Sequence, residues 1–378
     1  MKFTAPSADL LRALAVAAGA VPSKSTLPIL ECVLFERDGD YLRLIATDLE
    51  IFIVQRLGVS FEGDGEVGPE RVAIPARRLL DTLRALPNLP VTLSADDEQN
   101  VEVTTDQGRY KMVGHDGADY PAIPSQADAR SVRASARAVK RAVEKTAFAV
   151  SKDSLRPAMM GVYFQVQAEE TRIVATDGHR LVRLSTDALT SEEPLNFIAP
   201  EKALALVSRA APEQDAECLI EVGNGFAAFD LGDTKVMGRM IDDPYPNYEA
   251  VIPNENDKRL HASRDALLAA VRRVALYSSS MTHQIRLSLA ENELTISAED
   301  IERASEARER VLCDYSGEAM EIGFNSVYLM EVLQNVDGDD VSLEFSTPNR
   351  AGVVTPASEP DGESMLMLIM PVMLNTYA

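Results

Sequence analysis

The sequence predicts an α+β protein of three similar domains, each made of two strand-helix-three-strand units. Three observations lead there: landmarks recurring in one order at intervals of about 125 residues, apolar and polar residues alternating over runs of strand length, and short amphipathic helices between those runs. A chain of 378 residues suits about three domains of ordinary size, each long enough to bury its own core.

The recurrences can be laid over one another directly. Ser7-Ala8-Asp9-Leu10-Leu11 returns as Ser135-Ala136-Arg137-Ala138-Val139 and as Ser263-Arg264-Asp265-Ala266-Leu267. Each serine stands where a short strand ends and a helix begins, so each is expected to cap that helix. Ile45-Ala46-Thr47-Asp48 returns as Val174-Ala175-Thr176-Asp177 and more faintly as Ile296-Ser297-Ala298-Glu299. Ile74-Pro75-Ala76-Arg77 is followed at the same interval by Ile198-Ala199-Pro200-Glu201 and then by Ile322-Gly323-Phe324-Asn325. In the first two, a proline sits close to the first helical turn, where its missing N–H costs nothing. Tyr120-Pro121 and Tyr245-Pro246 each lead into an Ile-Pro pair, at Pro124 and Pro253. Those stretches read as linkers, which places the domains at 1–126, 127–253 and 254–378.

Within the first repeat the elements follow in order. A strand from Lys2 to Ala5 leads into a helix from Ser7 to Ala20, and extended runs follow at Leu30 to Phe35, Tyr41 to Ala46 and Ile51 to Phe61. The order then restarts with a strand from Arg71 to Ile74, a helix from Ala76 to Leu86, and strands at Val91 to Leu93, Val101 to Thr104 and Arg109 to Val113. Val101 and Val103 alternate with Glu102 and Thr104, the period-2 pattern of a strand with one buried face. Helices on one side of such sheets give a layered architecture.

Several classes of protein are disfavoured. The apolar run after Met1-Lys2 resembles a signal peptide only loosely, because Asp9 and Arg12 interrupt it and the segment repeats at 135 and 263. No run of 18 apolar residues exists, so no membrane span or membrane partner is expected. Cys32, Cys218 and Cys313 lie far apart without metal or redox spacing, which fits buried thiols in a reducing cytoplasm. Asp177-Gly178-His179 could set an acid beside a base, but no nucleophile motif, P-loop or metal spacing accompanies it. With histidines only at 115, 179, 261 and 283, a metal cluster is not expected, and His179 reads as a pocket-lining residue.

Charge points in two directions. A formal net charge of −22 argues against simple adhesion to nucleic acid. Yet the basic residues recur on corresponding helices. In the 76–86 helix Leu79, Leu80, Leu83 and Leu86 form an apolar stripe with Arg77 and Arg84 opposite. After Ser135, Val139, Ala142, Val143 and Thr146 face in, while Arg137, Lys140, Arg141 and Lys145 face out around Glu144. Lys202, Arg209, Arg264, Arg272 and Arg273 occupy comparable helices, and acid gathers elsewhere, as at Glu213, Asp215, Glu217 and Glu221. The pattern implies one positive surface in an acidic protein; a solvated face is the reading for any single helix. An interaction scaffold that does not bind DNA is the alternative, although it would not need those faces.

The chain resembles the bacterial sliding clamp family, the beta subunits of DNA polymerase III, over essentially its whole length. The resemblance rests on Thr26-Leu27-Pro28-Ile29-Leu30, Thr47-Asp48-Leu49-Glu50, Ala175-Thr176-Asp177-Gly178-His179-Arg180-Leu181, Tyr315-Ser316-Gly317, Met320-Glu321-Ile322-Gly323-Phe324-Asn325 and Met370-Pro371. It implies the DNA clamp fold: a head-to-tail homodimer forming a ring, helices inside and sheets outside, that encircles duplex DNA without sequence specificity and has no cofactor and no chemistry of its own. Twelve helices packed at roughly 9 to 10 Å would make a circle about 36 Å across at their axes. Removing a helix diameter of about 10 to 12 Å leaves a hole of roughly 25 Å, enough for duplex DNA and a layer of water.

The resemblance also implies sites. Lys24, in the loop after the first helix, matches a DNA-touching position, and Lys152 lies in the comparable loop of the second repeat. A partner-peptide cleft is implied at Met159, Thr176, Gly178, His179, Arg180, Leu181, Pro246 and Val251 on the second domain, with Asn325, Tyr328, Leu368, Met370, Pro371 and Val372 on the third. Its implied occupants are short peptides of the replicative polymerase alpha subunit, the clamp loader, repair polymerases and other proteins. Met365, Met367, Met370 and Met373 crowd the last strand, where thioethers suit a pocket with several ligands or a buried terminal strand. The implied dimer contact sets Tyr110 of one subunit against Leu276 and Tyr277 of the other. The sequence departs from the family at its end, with Met373 in place of the usual basic residue and Asn375 to Ala378 appended.

Overall fold

The computed structural model describes residues 1–62, 68–214 and 216–374. Asp215 of the acidic set and the Asn375 to Ala378 tail lie outside them. The described residues contain six α-helices: α1 Ser7–Ala17, α2 Ala76–Ala85, α3 Ala136–Thr146, α4 Glu201–Ala210, α5 Arg264–Ala275 and α6 Ser326–Asn335. Each follows directly on a short strand, as the repeats predict, and the strand and helix positions of the first repeat agree with expectation to within a few residues. The 7–20 helix ends in a 3₁₀ turn at Ala18–Ala20, and the extended run at 30–35 begins with another at Pro28–Glu31.

The chain packs as two compact units, Met1–Lys140 with Lys202–Met240, and Arg141–Glu201 with Ile241–Ala378. In the first, a nine-stranded antiparallel sheet runs from His115–Asp116 through Arg71–Pro75, Cys32–Asp38, Tyr41–Thr47 and Ile51–Gly58 to Thr234–Arg239, Phe226–Asp230, Glu217–Gly223 and Arg130–Ser135. Strands of two sequence repeats therefore share one sheet, joined where Ile51–Gly58 pairs with Thr234–Arg239. The second unit has the same construction, with Arg180–Thr186 paired to Glu363–Ile369. Each unit also holds a smaller sheet, of five strands ending at Arg109–Val113 and of four strands ending at Ser305–Leu312. The helices lie on the sheets, with α1 against α2 and α5 against α6.

Capping explains where the helices start, with one departure from expectation. Ser263 Oγ accepts from Ala266 N, Ser135 Oγ accepts from Arg137 N, and Asn325 Oδ1 accepts from Val327 N. Ser7 is not a cap. It is the first residue of α1, buried, and its hydroxyl donates to Pro87 O at 2.9 Å and accepts from Leu89 N at 3.1 Å, tying the helix start to a distant loop.

The linker motif has a plain cause. Tyr120 is buried and donates its hydroxyl to Cys32 O at 3.1 Å; Tyr245 likewise donates to Val174 O at 3.3 Å. Each tyrosine anchors its linker to a strand of the preceding repeat. Cys32 and Cys218 are buried, and burial pushes their thiols up to about 11 and about 12 respectively. Among the described residues no helix is long and apolar enough to cross a membrane, and no cluster of metal-ligating side chains occurs.

Candidate functional site

The implied peptide cleft lies wholly within the second unit and is built around the hairpin joining Thr171–Thr176 to Arg180–Thr186. Asp177 shapes the turn by accepting from His179 N at 2.8 Å and Arg180 N at 2.9 Å. Thr176 Oγ1 accepts from Gly178 N at 3.1 Å and donates to Arg180 O at 2.7 Å. Gly178 has φ +87°, a left-handed conformation that suits glycine.

Arg180 is the hub beneath the turn. Only 7% exposed, it forms an ion pair with Glu331 of α6, donates to Phe148 O at 2.7 Å, and lies 5.0 Å from the centroid of Tyr328. Tyr328 stacks in turn on His179, with centroids 5.6 Å apart. Burial, followed by the charge of Asp177, raises the Tyr328 phenol above its ordinary pKa. The arrangement makes His179 and Tyr328 one aromatic wall of the site.

Below lies an apolar cluster of Val174, Leu181, Tyr248, Ala351 and Leu368, edged by Tyr163, Tyr245 and Ile252. Above it Val251 is 53% exposed and Met370 39%, and Met370 N donates to His179 O at 2.8 Å. Of the four methionines near the end, Met365 and Met367 are buried, whereas Met370 and Met373 are exposed, so the terminal strand serves both as core and as surface. Met159 and Pro246 are half-buried, as are Pro371 and Val372, the last with its N–H on Gly323 O at 2.9 Å. Asn325 caps α6. The structure thus brings His179, Arg180, Tyr328 and Met370 together, with Leu181 packed on Leu368, while Thr176, Arg180, Leu181 and Leu368 are buried instead of presenting side chains on the surface. The sequence reading missed Phe148, Glu331 and the stacked pair Tyr163 and Tyr245, whose centroids are 4.7 Å apart. The repeated Tyr-Pro motif was the available signal for Tyr245.

The expected basic surface divides into three groups. Lys24, Arg77, Arg137, Arg209 and Arg272 are exposed and Lys140 half-buried, and none forms an ion pair among the described residues. Exposed Arg84, Lys152 and Lys202 have carboxylate neighbours in Asp81, Glu201 and Asp48. The third group corrects the sequence reading. Arg141 and Lys145 do not face freely outward: Arg141 contacts Asp337 and Glu363, each at 2.7 Å, and Lys145 contacts Asp337 at 2.5 Å. Arg264 is similarly engaged, with Asp265 at 2.8 Å and Val336 O at 3.1 Å. Burial by itself would raise the Asp337 carboxyl, but hydrogen bonds from Lys145 and Arg141 outweigh it and hold it below the usual carboxylate range.

The implied dimer residues are surface residues. Tyr110 is 38% exposed as the second residue of Arg109–Val113, an edge strand; Leu276 at the end of α5 is 81% exposed, and Tyr277 44%.

Comparison with known proteins accounts for the whole chain. Residues 1–124, 134–247 and 249–372 match the family profiles of the N-terminal, central and C-terminal domains of the DNA polymerase III beta subunit. The Beta sliding clamp of Pseudomonas aeruginosa is 32% identical over 375 residues, covering 99% of this chain and 100% of that protein. That of Escherichia coli is 29% identical over 374 residues, covering 99% and 100%. The crystal structure of the Pseudomonas aeruginosa sliding clamp bound to griselimycin superposes with a TM-score of 0.92 at 31% identity, covering 99% of this chain and 100% of that one. The Bacillus subtilis clamp shares the fold at a TM-score of 0.92 and 22% identity, covering 99% of each chain.

Proposed function

The chain belongs to the bacterial beta sliding clamps, the beta subunits of DNA polymerase III, and from that premise we propose how it works as a clamp. It is a DNA sliding clamp of three similar domains, a non-catalytic processivity factor of the polymerase. Two subunits associate head to tail into a cytoplasmic ring, helices inside and sheets outside, with domains at 1–126, 127–253 and 254–378. Exposed Tyr110 of one subunit meets Leu276 and Tyr277 of the other, an apolar contact repeated twice by the symmetry. The ring tethers the replicative polymerase, the clamp loader and repair polymerases through peptides that settle against Val251, Met370 and the His179–Tyr328 stack.

The observation that carries the DNA reading is the recurrence of exposed cations with no ion pair among the described residues, Lys24, Arg77, Arg137, Arg209 and Arg272, on successive repeats of a chain whose net charge is −22. Cations on the inner surface and an acidic exterior favour DNA inside the ring only. Contacts to phosphate give binding that ignores sequence and weakens with salt. The test is topological: loaded on a nicked circular duplex, the protein should stay bound through gel filtration and fall off when the circle is cut. Equal loss from circle and line would overturn the ring. Neutralising Lys24 and Lys152 should shorten retention on the circle and flatten its salt dependence, and unchanged retention across a salt series would remove those loops from the DNA surface.

A further inference from the structure

We infer that the partner cleft continues past Met370 onto an uncharged apolar surface bearing Val327, Met373 and Met281, and that this surface takes an aliphatic side chain of the partner from outside the short anchoring peptide. The inference rests on the cleft reading above and names a further part of the same ligand.

Three stretches of chain meet there, and each lacks charge. Residues 274–285, 322–330 and 364–374 contain no Asp, Glu, Lys or Arg, in a protein of which 25% of the residues are charged. They are far apart in sequence but tied together in the fold. Gln284 pairs with Asn325 across adjacent strands, Ser326 N donates to His283 O at 2.8 Å, and Asn325 Nδ2 donates to Thr282 O at 3.5 Å. The end of the chain joins them, because Gln284 Nε2 donates to Met373 O at 3.4 Å and Val372 pairs with Gly323.

On this base stand large apolar side chains that the fold leaves outside. Met373 is 89% exposed, Met281 84% and Val327 37%. A single exposed apolar residue is ordinary, whereas several on adjoining uncharged segments mark an interaction surface. Depletion of charge is also what distinguishes the centre of a protein interface.

Position selects the occupant. Met373 lies three residues beyond Met370, and Val327 directly precedes Tyr328, so the surface adjoins the cleft on both its methionine and its aromatic side. A peptide anchored by apolar residues at Val251 and Met370 therefore carries its other end over Val372 toward Met373 and Val327. A charged side chain arriving there would lose water with no opposite charge to meet, whereas an aliphatic one gains by burial. Two flexible thioethers let the surface fit aliphatic groups of different shape.

The test titrates the full-length protein, its methionine methyls labelled for NMR, with acetyl-Gln-Ala-Ala-Leu-Phe-amide and with the same peptide carrying Leu-Leu or Ser-Ser at its amino end. The short peptide is expected to shift Met370. The Leu-Leu form should shift Met281 and Met373 as well, and bind about fivefold or more tightly than the Ser-Ser form. Met281→Ser with Met373→Ser should erase that preference while keeping the affinity for the short peptide, which attests to an intact cleft. The proposal falls if either Met281 or Met373 stays still, if the two extensions bind alike, or if the preference survives in the double variant. It falls too if the double variant sediments as a monomer, since the surface would then belong to the subunit contact at Leu276 and Tyr277. Failure of the short peptide to move Met370 would instead overturn the cleft itself, and the extension with it.

Discussion

The junction of Ile51–Gly58 with Thr234–Arg239 in the first unit and that of Arg180–Thr186 with Glu363–Ile369 in the second are the same construction with opposite outcomes. The pairings put Ile51 opposite Gly238 and Arg180 opposite Ile369, so Glu50 corresponds to His179, Arg239 to Met370, Phe226 to Ala351 and Phe52 to Leu181. Even one hydrogen bond is kept: Arg239 N donates to Glu50 O, and Met370 N to His179 O, each at 2.8 Å. In the first junction Phe226 meets Phe52 edge-on with centroids 6.1 Å apart, and Arg239 lies 4.8 Å over the Phe226 ring while pairing with Glu50 at 2.9 Å. The rings and the Arg239–Glu50 pair plug that end of the junction. In the second, a buried alanine packed with Tyr248 stands in place of the ring and an exposed methionine in place of the arginine, so the exposed group there is apolar. A shared scaffold thus carries an aromatic and charged end in one unit and an exposed apolar one in the other.

The comparison can be broken most forcefully from the plugged side. Phe226→Ala should remove the plug and destabilise the protein by about 3–5 kcal/mol, the usual cost of deleting a buried ring. Urea unfolding measures it, and a loss below about 1 kcal/mol would mean the ring is not what fills the first junction. The reverse change, Ala351→Phe, should fill the open junction. It should weaken a labelled clamp-binding peptide at least tenfold in fluorescence anisotropy, about 1.4 kcal/mol or more, with dimer and DNA retention intact. A chain ending at Ile369 should lose that peptide entirely, and full binding by it would move the cleft elsewhere.

A smaller effect concerns how the second unit holds itself around its open junction. Arg141 and Lys145 converge on Asp337, and Arg180 on Glu331. Asp337→Asn should cost about 1.5–3 kcal/mol at neutral pH, the range for hydrogen bonds to charged groups. Because the folded-state pKa of Asp337 lies below its ordinary value of 3.8, its contribution is complete above that value and is lost as pH falls through the folded one. The gap in stability between the parent chain and the variant should therefore narrow below about pH 4, and urea titrations at pH 7 and pH 3 that show an equal gap would contradict the assignment.

Much of the fold was legible because it is local. Alternation at Val101 and Val103 marks a strand, and the leucine stripe of α2 marks a buried face, whatever lies elsewhere in the chain. The likeness of Ile45-Ala46-Thr47-Asp48 to Val174-Ala175-Thr176-Asp177 located the two corresponding hairpins. Partners remote in sequence were not legible. Arg141 reads as a surface cation until Asp337 arrives from 196 positions away, and Ser7 reads as a cap until Pro87 and Leu89 take its hydroxyl. The correspondence of Phe226 with Ala351 left no motif, since only the strand register reveals it.

The smallest prediction lies in the hairpin turns of the two junctions, Thr47-Asp48-Leu49-Glu50 and Thr176-Asp177-Gly178-His179. Both use the aspartate to accept two backbone N–H groups, from Glu50 and Ile51 in one and from His179 and Arg180 in the other. Both place the third residue in the left-handed region, at φ +77° for Leu49 and +87° for Gly178. Leucine carries a penalty there of roughly 1–2 kcal/mol that glycine escapes. Glycine gives back roughly 0.5–1 kcal/mol through the greater freedom of its unfolded chain. Leu49 is 39% exposed, so little burial is forfeited in the exchange. Leu49→Gly should therefore stabilise the first unit by about 0.5 kcal/mol, and Gly178→Leu should destabilise the second by about as much or more. A pair of denaturation curves decides the matter: if Leu49→Gly proves destabilising, the leucine side chain is packing in a way that outweighs its strained backbone, and the two turns are less alike than their hydrogen bonds suggest.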